Sequence, residues 1–262
     1  MTYYPVPEAG VAGKFSVPCA MNRNERTVGV LGGMGPDATI DFMSKVIALT
    51  RGGTDQDHIR MLVDHNPKVP NRQAAILGGG TDPGRELAAM ATRLEKAGAD
   101  FLVMVCNSAH AFLGPLRQAT TIPFISIVDV SIREVEAIHP NARTVGVLAT
   151  DGLLATGIYQ RALLDDGRSP VLLGDEDVAR LMTLIRKVKA GDKSREVAQE
   201  MGTLAEFLAS AGAEVIIAGC TEIPLVLDAA RTTVPVIAST DVLARKTVAL
   251  ARGIEPLPLR QK

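Results

Sequence analysis

The chain has 262 residues, of which 47% are hydrophobic and 22% charged, and its formal net charge is −1. So even a balance leaves no electrostatic footprint for nucleic acid or an anionic membrane surface, and 3% aromatics without Trp gives few platforms on which bases could stack. No apolar run approaches the roughly 18 residues needed to span a bilayer.

The first residues lack a basic stretch followed by an apolar one, so a secretory signal is not expected. Three cysteines, an odd number, argue against a disulfide framework and for a reducing compartment, the cytoplasm. Residues 1–25, with Pro5, Pro7 and Pro18 and no periodicity, read as an extended tail lying on the surface or on a neighbouring subunit. Cys19 within it reads as a free thiol without function.

From Arg26 onward, strands and helices alternate. Residues 27–31 form a continuous apolar strand. Pro36 occupies a first helical position, and Ile40, Met43, Ile47 and Ala48 give that helix an apolar face up to about Leu49. Residues 59–63 read as a second strand, and Asp82-Pro83 starts a helix that runs to about Ala97. Residues 101–105 and 123–127 supply two more strands. The order then repeats: strand 144–149, helix 153–165, strand 171–173, helices 175–190 and 195–211, strands 215–218 and 235–237. Strands apolar on both sides that alternate with amphipathic helices imply parallel sheets covered on both faces.

The repetition extends to the letters. Arg26-Thr27-Val28-Gly29-Val30-Leu31 recurs as Arg143-Thr144-Val145-Gly146-Val147-Leu148. Residues 98–106 and 212–220 each open on Gly-Ala and an acidic residue, run through apolar residues and close on a cysteine, Cys106 and Cys220. The correspondence continues through Ile122-Pro123 and Val234-Pro235 to Asp129-Val130 and Asp241-Val242. A period of about 115 residues suits two duplicated α/β domains rather than a solenoid. The expected fold is therefore two pseudo-symmetric α/β domains, each a parallel sheet flanked by helices, with the site in the cleft between them. Domain one is expected over residues 26–130 plus the helix 241–254, and domain two over 131–240.

In open parallel sheets ligands bind beyond the carboxyl ends of strands, where both cysteines fall. At the start of a helix, unpaired N–H groups and the helix dipole would lower a thiol's pKa. A lone strand-end cysteine is most simply a buried apolar residue, but a symmetry-related pair suggests two thiols facing one ligand. No Cys-x-x-Cys pair is present, and neither Cys106 with His110 nor His58, His65 and His139 has metal-ligand spacing. The turn Gly32-Gly33-Met34-Gly35 fails the dinucleotide fingerprint, since Pro36, Asp37 and Ala38 follow it. It reads instead as a loop whose N–H groups can hold a carboxylate.

Taken together, Gly32-Gly33-Met34-Gly35-Pro36, Asn66-Pro67-Lys68-Val69-Pro70-Asn71-Arg72, Cys106-Asn107-Ser108-Ala109-His110 and Gly219-Cys220-Thr221-Glu222 resemble, in order, the signature motifs of the aspartate/glutamate racemase family. The resemblance covers residues 26–254. It implies a cofactor-independent amino-acid racemase in which Cys106 and Cys220 are the two acid/base groups, Cys220 serving the L face and Cys106 the D face. It further implies that Asn107, Ser108 and Thr221 bind the α-carboxylate or amine, that Met34 and Thr39 lie near the pocket, and that Arg72 pairs with a side-chain carboxylate. A lysine before the second cysteine, Lys193 or Lys189, should also reach the substrate. The chain departs from the family pattern at Asn71, where Asp is frequent, and at Ser108, where Thr is common; both changes bear on specificity.

Two other readings remain within the same reasoning. One is a maleate isomerase or hydantoin racemase of the wider superfamily; the other is a non-catalytic two-domain small-ligand binding protein. The expected partner is a small amino-acid substrate, with neither nucleic acid nor membrane. Small domains with excess apolar helix surface suggest a homodimer, with the helix at 37–49 as a contact.

Overall fold

The computed structural model describes residues 25–259. The amino-terminal tail and Cys19 lie outside the described residues. The first half runs β1 (Val28–Gly32), α1 (Pro36–Leu49), β2 (Met61–His65), α2 (Arg72–Ile76), α3 (Gly84–Lys96), β3 (Phe101–Met104), α4 (Leu113–Ala119), β4 (Phe124–Ile125) and α5 (Ile127–Ile138). The second runs β5 (Thr144–Leu148), α6 (Asp151–Thr156), α7 (Ile158–Asp165), β6 (Ser169–Val171), α8 (Asp175–Lys189), α9 (Arg195–Ser210), β7 (Val215–Ala218), β8 (Val236–Ala238) and α10 (Ser239–Ala251).

Each half builds one four-stranded sheet, ordered β2-β1-β3-β4 and β6-β5-β7-β8, and every pairing is parallel. Because sequence repeats become structural repeats, β1 pairs β3 from Val28–Phe101, and β5 pairs β7 from Val145–Val215. The identical Val-Gly-Val stretch has a packing reason. A Cβ on Gly29 would lie 2.7 Å from Leu102 and 3.1 Å from Leu94; one on Gly146 would lie 3.0 Å from Ile216 and 3.2 Å from Leu208. In both copies the glycine lets a helix, α3 or α9, approach the central strand closely.

The largest core fills the space between the two sheets. Val28 and Val30 from β1, Phe42 and Val46 from α1, Val135 from α5, Tyr159 and Leu163 from α7, and Leu243 and Leu250 from α10 all belong to it. Helices α3 and α4 cover the outer face of the first sheet, and α8 and α9 that of the second. α10 packs against α1 and α5, and its Ala251 carbonyl accepts the Arg26 N–H at 2.8 Å. Among the described residues, no helix is long and apolar enough to cross a membrane.

Several sequence expectations move. The second strand begins at Met61, two residues later than expected, and β4 ends at Ile125 because Ser126 caps α5, accepting from the Asp129 N–H at 3.1 Å. The helix expected over 153–165 divides at Gly157, whose φ of +66° is left-handed and closes α6. The face of α1 that is buried carries Ala38, Thr39, Phe42 and Val46, whereas Ile40 and Ile47 point outward.

Candidate active site

A cavity of about 450 Å³ lies between the two halves, at the carboxyl ends of both sheets. Cys106 follows β3 by two residues and Cys220 follows β7 by two, so the two central strands deliver one cysteine each to its wall. Both are free thiols and nearly buried, 6% and 7% exposed. Met34, Arg72, Asn107, Ser108 and Thr221 line the same cavity.

Two of the residues expected there do not line it. Thr39 is fully buried beneath the Gly-rich turn: its hydroxyl accepts the Gly33 N–H at 2.8 Å and donates to the Gly35 carbonyl at 3.1 Å. It therefore shapes the turn that carries Met34, and the Gly33 N–H expected to hold a carboxylate is already engaged. Gly33 itself has a φ of +86°, with the Asn66 backbone 2.5 Å from where its Cβ would be. Lys193 pairs with Asp37 at 2.8 Å. Lys189, at the end of α8, is the lysine that reaches the cavity.

The elements that follow the cysteines differ from expectation. Each thiol precedes a short 3-10 turn, residues 108–112 or 223–225, rather than an α-helix. Turns of this length align few peptide dipoles. At Cys220 the pKa shift runs opposite to the expected lowering. Burial raises its pKa well above the usual thiol value, the Glu222 carboxylate adds to the rise, and Lys189 opposes it. Glu222 is buried among three donors: its Oε2 accepts from the Cys220 thiol at 3.1 Å and the Thr221 hydroxyl at 3.2 Å, and its Oε1 accepts from Lys189. Burial pulls the Lys189 ammonium down, yet the Glu222 carboxylate, aided by any negative charge at Cys220, outweighs it and leaves its pKa raised.

The polar residues after Cys106 tie the halves together. Tyr159 donates to Asn107 Oδ1 at 2.7 Å, Asn107 Nδ2 donates to Ser239 at 3.1 Å, and Ser239 donates to the Ala218 carbonyl at 2.8 Å. Ser108 and Thr150 lie 3.1 Å apart, and the Gln73 amide donates to both, at 2.9 and 2.8 Å. Asn71 caps α2, accepting from Gln73 and Ala74 N–H groups at 2.9 and 3.3 Å. Next to it, Arg72 Nη1 donates to the Val69 and Pro70 carbonyls, both at 3.0 Å, while its buried Nε has no partner.

His110 is a clamp. Its Nε2 accepts the Ile127 N–H at 3.1 Å, so the proton sits on Nδ1 and is donated to the Cys106 carbonyl at 2.9 Å. Complete burial lowers its pKa to about 4.

Tyr159, Gln73 and Glu222 carry no role in the sequence reading. Tyr159 and Gln73 stand in no motif. For Glu222 a signal existed: the copies differ at the second residue after each cysteine, Ser108 in one and Glu222 in the other. Among the described residues, no group of three or more His, Cys, Asp or Glu side chains could hold a metal ion.

A model of the family described as Asp/Glu/hydantoin racemase matches residues 31–247. The broad specificity amino-acid racemase RacX of Bacillus subtilis is 31% identical over 234 residues, 84% of this chain and 96% of the relative. The solved Picrophilus torridus aspartate racemase superposes with a TM-score of 0.77 at 25% identity, covering 89% of this chain and 96% of that one. The Francisella tularensis glutamate racemase, solved with D-glutamate, shares the fold at a TM-score of 0.61 and 17% identity, over 87% of this chain and 81% of that one.

The His110 clamp has a pH consequence. The unfolded chain, with an imidazole pKa near 6.5, binds a proton that the folded chain refuses until about pH 4. Its contribution is fully present above pH 6.5 and is lost as pH falls toward 4, a change on the order of 2–3 kcal/mol. Urea unfolding at pH 7, 5.5 and 4.5 should show this slope, and His110→Gln should flatten it.

Proposed function

The chain belongs to the Asp/Glu/hydantoin racemase family, and within it we propose a cofactor-independent amino-acid racemase that moves the α-proton of aspartate, glutamate or a related amino acid between Cys106 and Cys220. The observation that carries this reading is the placement of the two thiols, one from each half, on the walls of a single cavity.

One cysteine, as thiolate, takes the Cα proton from one face. The other, as thiol, gives its proton to the opposite face, and the product leaves with the two protonation states exchanged. The cysteines must start in opposite states, so their titrations belong to the pair. The carbanion between the two steps places charge on the α-carboxylate. Hydrogen-bond donors held fixed on the cavity wall stabilise that charge more than freely reorienting water would. Ser108 is a hydroxyl donor on the cavity wall suited to that carboxylate, and Thr221, whose proton goes to Glu222, offers its oxygen to the substrate ammonium from the other half. Asn107 adds the remaining proton of its amide.

Arg72 supports an acidic substrate. Two backbone carbonyls hold its Nη1, and its unpartnered Nε leaves an edge of the guanidinium for a carboxylate. Lys189 is the second cation at this end, already offset by Glu222.

Cys106→Ala and Cys220→Ala should each reduce racemisation by on the order of 10²–10⁴ or more, with Cys19→Ala near wild type. Polarimetry with L-aspartate and L-glutamate, together with Cα–H loss in deuterium oxide, measures this. Wild-type turnover in both directions from either single variant would end the two-thiol model.

Arg72→Leu should depress activity on aspartate and glutamate far more than on neutral amino acids. Equal loss on every substrate would reassign Arg72 to shaping the cavity.

We also propose a homodimer formed through α1. Ile40 and Ile47, 59% and 45% exposed and seven residues apart, share an outward face that water would otherwise cover. Light scattering should give twice the chain mass, and Ile40→Glu with Ile47→Glu should give a folded monomer. A monomeric wild-type protein would refute the assembly.

A further inference from the structure

We propose that Glu222 is the positioning residue that holds Cys220 as the thiol of the pair, so that the resting site starts with Cys220 as acid and Cys106 as base. This deepens the two-thiol reading and rests on it only for its catalytic meaning; the pairing of Glu222 with Cys220 is a property of the resting protein.

The internal repeat makes the contrast. Counting from each cysteine, Ser108 and Glu222 occupy equivalent places; Ser108 is neutral and bonds Gln73 and Thr150, whereas Glu222 sets a carboxylate against its own cysteine. The Glu222 side chain is only 4% exposed. Its Oε2 lies 3.1 Å from the Cys220 sulfur, within reach of an S–H donor, and Lys189 occupies the other oxygen. The Gly-rich turn closes the remaining side. A Cβ on Gly35 would come within 2.7 Å of Glu222 Oε1 and 3.3 Å of Lys189 Nζ, so it is the missing side chain there that lets the turn pass this close to the ion pair.

A thiolate in that position would put two anions 3.1 Å apart in a nearly dry wall; a thiol donates a hydrogen bond instead. The charged and titratable groups around Cys220 are Lys189 from α8, Glu222 from its own turn, the neutral Tyr159 from α7, and Cys106 across the cavity, with Arg72, Arg186 and Asp151 farther along the lining. Lys189 and the Glu222 backbone N–H would favour the thiolate; burial and the Glu222 carboxylate outweigh them.

The proton count closes without another reactant. In a turnover from the resting state, the Cα proton goes to the Cys106 thiolate and the Cys220 proton goes to the opposite face of the carbon. Cys220 is left as a thiolate beside Glu222, steadied by Lys189. The site resets when Cys106 releases its proton to water and Cys220 takes one back; Glu222 remains a carboxylate throughout.

The test is the pH dependence of iodoacetamide alkylation, followed separately at Cys106 and Cys220 by peptide mass spectrometry. In the wild-type chain Cys220 should become reactive at a higher pH than Cys106. Glu222→Gln removes the anion and leaves Lys189, so the Cys220 midpoint should fall by about one to three pH units while that of Cys106 moves far less. Lys189→Met should move Cys220 the other way, and Glu222→Asp should lie between wild type and Glu222→Gln. General loosening would affect both thiols alike, so a shift confined to Cys220 reports the pairing rather than damage.

A wild-type Cys220 midpoint at or below that of Cys106 would overturn the proposal, as would a Cys220 midpoint unmoved by Glu222→Gln. If Glu222→Gln does not fold, a Cys220 midpoint unmoved in both Glu222→Asp and Lys189→Met would overturn it equally. Alkylation needs no turnover, so the two ideas fail separately. A chain with these midpoints but no Cα–H exchange on any amino acid would refute the racemase reading alone. A racemising chain with an unshifted Cys220 would refute the Glu222 assignment alone.

Discussion

The site depends on a hydrogen-bonded strut buried between the two halves. It runs from Tyr159 on α7 through the Asn107 amide and the Ser239 hydroxyl to the Ala218 carbonyl at the end of β7. Asn107 adjoins Cys106, and Ala218 stands two residues before Cys220, so the strut sets one strand end against the other. Each member is buried, and stranding one partner costs roughly 1–3 kcal/mol in desolvation alone. Apolar packing between the sheets supplies most of the adhesion, but it is not directional. The strut fixes register where register matters to the cavity.

Charge in the cavity follows the same division between shape and chemistry. Three basic side chains, Arg72, Arg186 and Lys189, and two acidic ones, Asp151 and Glu222, line it. Lys189 and Glu222 largely cancel, since the Glu222 carboxylate could not be buried there unpaired without a large desolvation penalty. These five side chains leave one cation in excess, which the Cys106 thiolate of the proposed resting site balances. In the proposed reaction that thiolate is neutralised as it takes the Cα proton, while Arg72 meets the second carboxylate of an acidic substrate.

Most of the architecture was legible because it was written twice. The six identical residues at β1 and β5, with Gly29 and Gly146 under the same packing constraint, located both sheets, and the repeat at residues 98–106 and 212–220 located both cysteines. Pro36 marked the start of α1 for a local reason, a fixed φ at a position that needs no N–H donor. What periodicity could not reach was set by longer-range contacts. α1 turned Ile40 and Ile47 outward because α10 occupies its other face, and nothing in a single helix pattern says which apolar stripe a neighbour will cover. Lys189 and Lys193 were inseparable by spacing; Lys189 ends α8 on the cavity side, while Lys193 lies beyond it and finds Asp37. The thiol pKa was misjudged at Cys220 for a related reason. A helix start was expected from residue types, whereas the chain makes a brief 3-10 turn and sends Glu222 back to the sulfur.

The duplicated fold and its one chemical difference answer separate demands of the proposed reaction. Inverting a carbon between two sulfurs requires them to approach opposite faces, and two copies of one strand–cysteine unit bring one sulfur from each half to a single cavity. Yet identical environments would leave undecided which thiol holds the shared proton, so neither sulfur would be fixed as acid or base at rest. The backbone therefore has to stay alike while the neighbours of the sulfurs diverge. That is the pattern the chain displays: matched strands and matched cysteines, followed at once by Asn107-Ser108 on one side and Thr221-Glu222 on the other. A single carboxylate, introduced into one copy alone and held by Lys189, is enough to break the equivalence without moving either strand.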